Sequence, residues 1–123
     1  MTTKHIIAVY GTLIDRLGTG IDGVLDGHAL LDTQNGFPVV LPRDKYSVNV
    51  QVCEVTDEKL RDLDRYEGVA SGLYTREKAR IWCVSLGKYV DAYIYIGGEM
   101  LKAREQRMEV VPDGDWMKYR GRA

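Results

Sequence analysis

The most regular stretch of the sequence is Tyr89-Val90-Asp91-Ala92-Tyr93-Ile94-Tyr95-Ile96. Small apolar side chains alternate along it with aromatic or acidic ones, which is the period of two of a β-strand with two different faces. Gly97-Gly98 follows this strand, and Leu86-Gly87-Lys88 precedes it with the composition of a tight turn. Because residues 74–84 are also rich in strand-forming side chains, we expect an antiparallel hairpin of residues 74–84 and 89–96.

Working outward from this hairpin, three more segments have the apolar, β-branched composition of strands: residues 4–10, 24–31 and 46–55. Phe37-Pro38 and Leu41-Pro42 predict irregular or edge structure between the last two, because proline cannot donate a ladder hydrogen bond. Strands outnumber helices, and many connections are too short for parallel crossovers. The fold class is therefore α+β, with a small mixed, mostly antiparallel sheet or β-barrel and flanking helices.

One segment, residues 56–67, has the pattern of an amphipathic helix that stops at Gly68. At about 100° per residue, Glu67 falls within about 20° of Leu60, on the apolar face that also carries Leu63. A carboxyl group in apolar surroundings has a raised pKa, so it can take and return a proton near neutral pH. We therefore predict Glu67 as the acid–base residue of a site. The alternative is that the helix frays before Glu67, which then only caps or solvates the turn.

The composition is that of one globular domain over residues 1–123, with a basic, flexible tail expected at 118–123. Hydrophobic residues make up 45% and charged residues 28%, and the formal net charge is −1. A polyanion binder usually carries a basic excess, so we expect no nucleic-acid partner. The chain has eight Tyr but one Phe. Tyrosines can line a polar pocket, although they are equally common as ordinary strand residues.

The sequence does not support a dinucleotide-binding site or a metal site, because the residues around each candidate pattern do not fit it. Gly18-Thr19-Gly20-Ile21-Asp22-Gly23 has the spacing of a dinucleotide-binding loop, but no strand directly precedes it and its glycines cannot open a helix. We predict a mobile glycine-rich loop there. The two histidines, His5 and His28, are not at ligand spacing from cysteines or carboxylates, so no metal site is predicted.

The two cysteines, Cys53 and Cys83, lie in strand-like segments. Their positions would allow one disulfide, but we expect two buried free thiols in a cytoplasmic protein. The apolar run near the N-terminus is too short for a signal peptide. No stretch approaches the 18 or so apolar residues of a membrane-spanning helix, so we expect no membrane association.

A second site-like feature is Tyr10-Gly11-Thr12-Leu13, where a buried strand ends in Gly-Thr. Successive backbone N–H groups that are left free at such a point can bind a carboxylate or a carbonyl oxygen. Tyrosines from segments that should converge near the end of the helix add hydroxyl groups to this region: Tyr66, Tyr74, Tyr93 and Tyr95.

The order of these segments carries a family resemblance. Tyr10-Gly11-Thr12-Leu13 is followed by Leu63-Asp64-Arg65-Tyr66-Glu67-Gly68, then Leu73-Tyr74-Thr75-Arg76, then Ala92-Tyr93-Ile94-Tyr95, and finally Gly114-Asp115-Trp116. This pattern resembles that of the γ-glutamylcyclotransferase-like (AIG2-like) family. The resemblance covers nearly the whole chain.

The resemblance implies a small β-barrel flanked by helices. It also implies an enzyme that releases 5-oxoproline from a γ-glutamyl amine, amino acid or peptide without a metal or an organic cofactor. The family's catalytic glutamate falls on Glu67, which would take a proton from the substrate's own α-amine and return it to the departing amine. The substrate-binding residues that the resemblance implies are Tyr10, Gly11, Thr12, Leu13, Tyr74 and Tyr93.

The chain also departs from the family pattern. Family members often carry a Gly-Glu-Val-Tyr-like run where this chain has Val50-Gln51-Val52-Cys53, and residues 14–23 are unusually rich in glycine. The identity of the γ-glutamyl substrate therefore stays open. The alternative function is a non-catalytic protein of the same fold that binds a small metabolite or nucleotide. In the cyclotransferase, the N–H groups of residues 11–13 would bind the substrate carboxylate or the oxyanion that develops.

Overall fold

The computed structural model describes residues 3–11, 17 and 20–121. Six strands run through these residues: β1 (Lys4–Val9), β2 (Ile21–Asp32), β3 (Pro38–Thr56), β4 (Tyr74–Cys83), β5 (Lys88–Gly97) and β6 (Glu109–Val110). The expected hairpin is confirmed, because β4 and β5 pair antiparallel from Tyr74 opposite Gly97 to Cys83 opposite Lys88.

The main helix, α1, spans Asp57–Tyr66 as the sequence predicted. The Thr56 hydroxyl accepts a hydrogen bond of 3.1 Å from the Lys59 backbone N–H and so caps its start. Gly68 follows its end with a φ of +65°, a conformation that glycine adopts without a steric cost. The shorter helices are α2 (Glu99–Lys102), α3 (Trp116–Arg120) and the 3₁₀ turns Glu105–Arg107 and Pro112–Gly114.

The strands form one sheet in the order β3-β1-β5-β4-β2-β6, and β2 also pairs with β3. This last pairing closes five of the strands into a ring. Only the short contact between β1 and β5 is parallel among the described pairings, and the others are antiparallel. The predicted α+β class with a mostly antiparallel sheet is confirmed.

Strand β3 decides between the two predicted forms of the segment around Pro38 and Pro42. Its N-terminal part, which contains Pro42, is strand rather than irregular structure, and among the described pairings it pairs only with β2, as an edge segment does. Pro42 lies opposite His28, next to a register shift between Asp26 and His28. Gly27 sits in this bulge with a φ of +75°. A bulge is one of the places where a sheet accepts proline, because the ladder is already interrupted there.

The two faces of β5 pack into different parts of the core. Ile94 and Ile96 belong to a cluster that includes Val50 of β3, whereas Tyr95 belongs to the cluster under α1 that includes Leu60 and Leu63. The period of two in the sequence therefore predicted a strand with two different faces, and both of them are buried at its C-terminal end. This arrangement sets the tyrosine face of β5 against the helix.

The C-terminal segment corrects one prediction. Residues 118–120 belong to α3 and are not a frayed tail. The Tyr119 hydroxyl donates a hydrogen bond of 2.9 Å to Asp32 Oδ2, and the neighbouring Trp116 side chain is buried. These contacts anchor the helix to strand β2. Residues 122–123 lie outside the described part of the chain.

Both cysteines are free thiols, and Cys83 is fully buried. Of the helices in the described part of the chain, none is both long and apolar enough to cross a membrane.

Candidate active site

A cavity of about 230 Å³ opens beside the C-terminal end of α1. Its walls come from the end of β1, the start of β3, the end of α1 and the start of β4, and from β5. The lining residues that matter below are Tyr10, Gly11, Pro38, Glu67, Tyr74 and Tyr95. The cavity is smaller than the roughly 300–1,000 Å³ of pockets that hold drug-sized ligands. It therefore suits a small metabolite or one portion of a larger one.

Glu67 supplies the only carboxyl group among the described residues that line this cavity. The helix does not fray before it, because the Glu67 backbone N–H donates a hydrogen bond of 2.8 Å to Leu63 O. Burial against the apolar face of α1 raises the pKa of Glu67 from 4.5 to about 7. Both forms of this carboxyl group are therefore accessible near neutral pH, so it can act either as a base or as an acid.

Two tyrosine hydroxyl groups at the cavity already donate hydrogen bonds to backbone carbonyl oxygens. The Tyr10 hydroxyl donates to Tyr95 O at 2.7 Å, and the Tyr74 hydroxyl donates to Pro38 O at 2.8 Å. A hydroxyl group has one proton to donate, so both oxygens can only accept hydrogen bonds from a ligand. Burial raises the pKa of Tyr10 and of Tyr74, and the nearby Glu67 raises both further, so both phenols stay neutral. Together with Glu67 they form a wall that favours a donor such as an ammonium group.

Tyr95 connects the cavity to the helix. Its hydroxyl donates a hydrogen bond of 2.7 Å to Asp64 Oδ1, and Arg76 Nε lies 2.9 Å from the same oxygen. Burial, and then the bond to Asp64, raises the pKa of Tyr95. Asp64 precedes Glu67 by one helical turn. The Tyr95–Asp64–Arg76 group therefore fixes the last turn of α1 relative to β4 and β5.

The structure brings together four of the residues that the sequence proposed. Tyr10, Gly11, Glu67 and Tyr74 all line the cavity. The other two residues of the Tyr10-Gly11-Thr12-Leu13 motif, Thr12 and Leu13, lie outside the described residues. A Cβ atom on Gly11 would lie 3.0 Å from Pro38 Cγ, so glycine allows the close approach of β1 and β3 at the cavity wall.

Tyr93 requires a correction, because it does not line the cavity in the described structure. It shares a face of β5 with Tyr95 but lies two residues, or about 7 Å, further from the end of α1. Its ring packs 4.6 Å from the Arg76 guanidinium group and 5.9 Å from the His5 ring. Tyr95 takes the place at the cavity that the sequence had assigned to Tyr93.

Sequence reasoning missed five lining residues: Ala8, Val9, Phe37, Pro38 and Leu73. Phe37 and Pro38 were assigned to an irregular segment, and only the pairing of β2 with β3 carries them to the end of β1. Leu73 was part of the quoted motif, but nothing in its spacing indicated which way its side chain points. Within the described residues, no three His, Cys, Asp or Glu side chains gather where they could hold a metal ion.

Comparison with known proteins decides the family. The sequence profile of the family described as "Gamma-glutamyl cyclotransferase, AIG2-like" matches residues 7–118. The chain belongs to the γ-glutamyl cyclotransferase, AIG2-like family. The resemblance found in the sequence is thereby confirmed. A search of curated protein sequences found no match.

Solved structures share the AIG2-like fold at low sequence identity. A protein described as "Gamma-glutamyl cyclotransferase" has a TM-score of 0.68 and 16% identity, over 88% of this chain and 70% of its own. An AIG2-like protein from Mus musculus has a TM-score of 0.62 and 22% identity, over 76% of each chain. An uncharacterized protein from Pyrococcus horikoshii has a TM-score of 0.66 and 20% identity, over 96% of this chain and 94% of its own.

Proposed function

We propose that this protein is a γ-glutamyl cyclotransferase that releases 5-oxoproline from a γ-glutamyl amine, amino acid or peptide, with Glu67 as the general acid–base. The observation that carries the proposal is the Glu67 carboxyl group on the wall of a small cavity, with a pKa of about 7. Membership of the family supports the same activity.

The charges and hydrogen-bonding groups of the cavity suit the amino end of a γ-glutamyl group. The Tyr10 and Tyr74 hydroxyl oxygens can accept hydrogen bonds from a ligand, and the ionised Glu67 carboxylate adds a negative charge. An α-ammonium group has three protons to donate and a positive charge, so it matches this wall. The α-carboxylate, or the oxyanion of the reacting carbonyl, would bind the backbone N–H groups of residues 11–13.

The reaction then follows from the position of the carboxylate. Ionised Glu67 removes one proton from the α-ammonium group, and the free amine attacks the γ-carbonyl carbon of the same molecule. A new C–N bond closes the five-membered lactam, and Glu67 gives the proton to the departing nitrogen as the old amide C–N bond breaks. The attacking nitrogen then loses its second surplus proton, and the leaving amine departs as an ammonium ion, so Glu67 ends ionised as it began. Attack within one molecule is favoured once the substrate is held in the right conformation. The cavity therefore has to bend the substrate and move two protons from the attacking nitrogen to the departing one.

Three residues that take no part in this proton transfer position the catalytic carboxyl group. Tyr95, Asp64 and Arg76 hold the last turn of α1, and with it the carboxyl group of Glu67. Two free cysteines fit the reducing conditions of the cytoplasm, where we propose that the protein acts on a soluble small molecule.

The experiment that tests the proposal measures 5-oxoproline release from a panel of γ-glutamyl amines, amino acids and peptides. We expect at least one compound to turn over, with kcat/KM rising with pH through about 7 as Glu67 ionises. If the protein binds a panel compound but releases no 5-oxoproline at any pH, it is a binding protein of this fold.

A further inference from the structure

A second cavity, of about 390 Å³, adjoins the first. Phe37 and Leu73 line both cavities and form the ridge between them. Both side chains are only half-buried, so this ridge reaches the protein surface. A ligand that extends out of the first cavity can therefore cross the ridge into the second.

The second cavity has an apolar side, a polar side and positive charge. Met100, Leu101 and Met108 contribute apolar side chains, and Arg104 and Arg107 contribute guanidinium groups. Residues 33–35 add uncharged polar side chains. No lysine, aspartate or glutamate is among its described lining residues. An apolar wall with two arginines suits a ligand that has both a hydrocarbon side chain and a carboxylate.

The local fold leaves these two arginines without an acidic partner. Arg104 precedes the 3₁₀ turn and Arg107 ends it, so they are three residues apart and lie on one side of the turn. Glu105 lies between them in sequence, but its carboxylate pairs with Arg43 of β3 at 2.6 Å. Among the described residues, neither Arg104 nor Arg107 forms an ion pair.

We infer that this second cavity is the subsite for the leaving group, and that the leaving group is an α-amino acid with an apolar side chain. This inference rests on the proposed function. With the glutamyl group in the first cavity, the amide nitrogen lies near the ridge and the acceptor lies beyond it. The acceptor carboxylate pairs with Arg104 and Arg107, and its side chain packs on Met100 and Met108. When the amide C–N bond breaks, the acceptor leaves as a free amino acid with the proton returned by Glu67.

Two matched substrates test this subsite. γ-Glutamyl-leucine carries the acceptor carboxylate, and γ-glutamyl-3-methylbutylamine is the same molecule without it. In the double variant Arg104→Gln/Arg107→Gln we expect kcat/KM for γ-glutamyl-leucine to fall about five- to tenfold, which is typical of losing partly exposed charge-assisted contacts. The value for the amine should not change. Arg80→Gln is the control, because Arg80 is an exposed arginine of β4 that lines neither cavity.

Equal effects of the double variant on both substrates, or no effect on either, would overturn the subsite. If the wild-type protein turns over neither compound, the proposed function fails, and calorimetric titration then tests the subsite alone. In that case γ-glutamyl-leucine must bind the wild-type protein more tightly than the amine does, and the double variant must lose this preference. Equal affinities in the wild-type protein would also overturn the inference.

Discussion

The Tyr95 hydroxyl donates a hydrogen bond of 2.7 Å to Asp64 Oδ1. This bond ties strand β5 to the last turn of α1, three residues before Glu67. Arg76 Nε lies 2.9 Å from the same oxygen, so Asp64 is held from two strands. Because Tyr95 also accepts a hydrogen bond from Tyr10 through its backbone oxygen, one residue links the helix, the sheet and the end of β1.

The first prediction concerns this link. Tyr95→Phe removes a buried hydroxyl group and leaves Asp64 with only Arg76. We expect the free energy of unfolding in urea to fall by about 1 kcal/mol, which is typical of losing one hydrogen bond. The value of kcat should fall more than KM changes, because Glu67 loses its fixed position while the cavity keeps its shape.

The matched control is Tyr89→Phe. Tyr89 is half exposed at the other end of the same strand, and its ring packs against Trp82 with centroids 5.0 Å apart. This variant keeps that ring contact and should match the wild-type protein in stability and in kcat. Equal stability and equal kcat in the two variants would contradict the role of Tyr95 in positioning Glu67.

The second prediction concerns pH and stability. Burial raises the Glu67 pKa from 4.5 to about 7, so between these values the folded state binds more protons than the unfolded state. The contribution of Glu67 to the free energy of unfolding is therefore fully present below about pH 4.5 and is lost as the pH rises through about 7. Glu67→Gln should gain stability relative to the wild-type protein by on the order of 2 kcal/mol between pH 4.5 and 8, since partial exposure screens part of the cost. Denaturation curves at several pH values measure this difference, and a constant difference would contradict the buried carboxyl group.

The third prediction concerns the end of α1. Gly68 has a φ of +65°, and an added Cβ would lie 3.3 Å from Leu73 Cβ and 3.1 Å from Ser71 Oγ. Gly68→Ala should cost about 1–2 kcal/mol of unfolding free energy and also lower activity, because Glu67 and Leu73 border the cavity.

Gly87→Ala is the control for Gly68→Ala. Its φ is +63°, but an added Cβ would have no atom within 4 Å. It shares the backbone penalty without the crowding, so it should lower the melting temperature and leave activity intact. Equal losses of activity in the two variants would mean that the effect is one of global stability.

The fourth prediction concerns substrate binding. Tyr74→Phe removes an acceptor for the substrate ammonium group and leaves Pro38 O without its donor. We expect KM for a γ-glutamyl substrate to rise about tenfold, because this contact involves a charged group. The acid limb of the kcat profile should remain, since it belongs to Glu67. Loss of that limb in this variant would contradict its assignment to Glu67.

The parts of the site that the sequence predicted come from strong local patterns. Glu67 was identified because helical periodicity puts it on the face of Leu60 and Leu63, and the structure buries both leucines there. Gly68 gave the end of that helix in the same way. The alternation along β5 correctly gave a strand with two faces. These features depend on neighbours within one element, so one sequence is enough to reveal them.

The parts that the sequence could not predict depend on contacts between distant elements. Tyr93 and Tyr95 share one face of β5, and only the level at which α1 packs decides which of them meets the cavity. Pro42 predicted irregular or edge structure, and one sequence could not decide between them because the bulge around Gly27 lies on another strand. Arg104 and Arg107 were not predicted as binding residues, because nothing in their weakly helical segment indicates that a cavity lies beside it.

The most direct test of the central claim compares 5-oxoproline release by the wild-type protein, Glu67→Gln and Glu58→Gln. Glu58 is an exposed glutamate at the start of the same helix and serves as the matched control. With the best γ-glutamyl substrate at neutral pH, Glu67→Gln should lower kcat by about 10²–10⁴-fold, which is the usual contribution of a general acid–base. Glu58→Gln should keep the wild-type rate. A Glu67→Gln protein that releases 5-oxoproline at the wild-type rate would contradict the assignment of Glu67 as the acid–base.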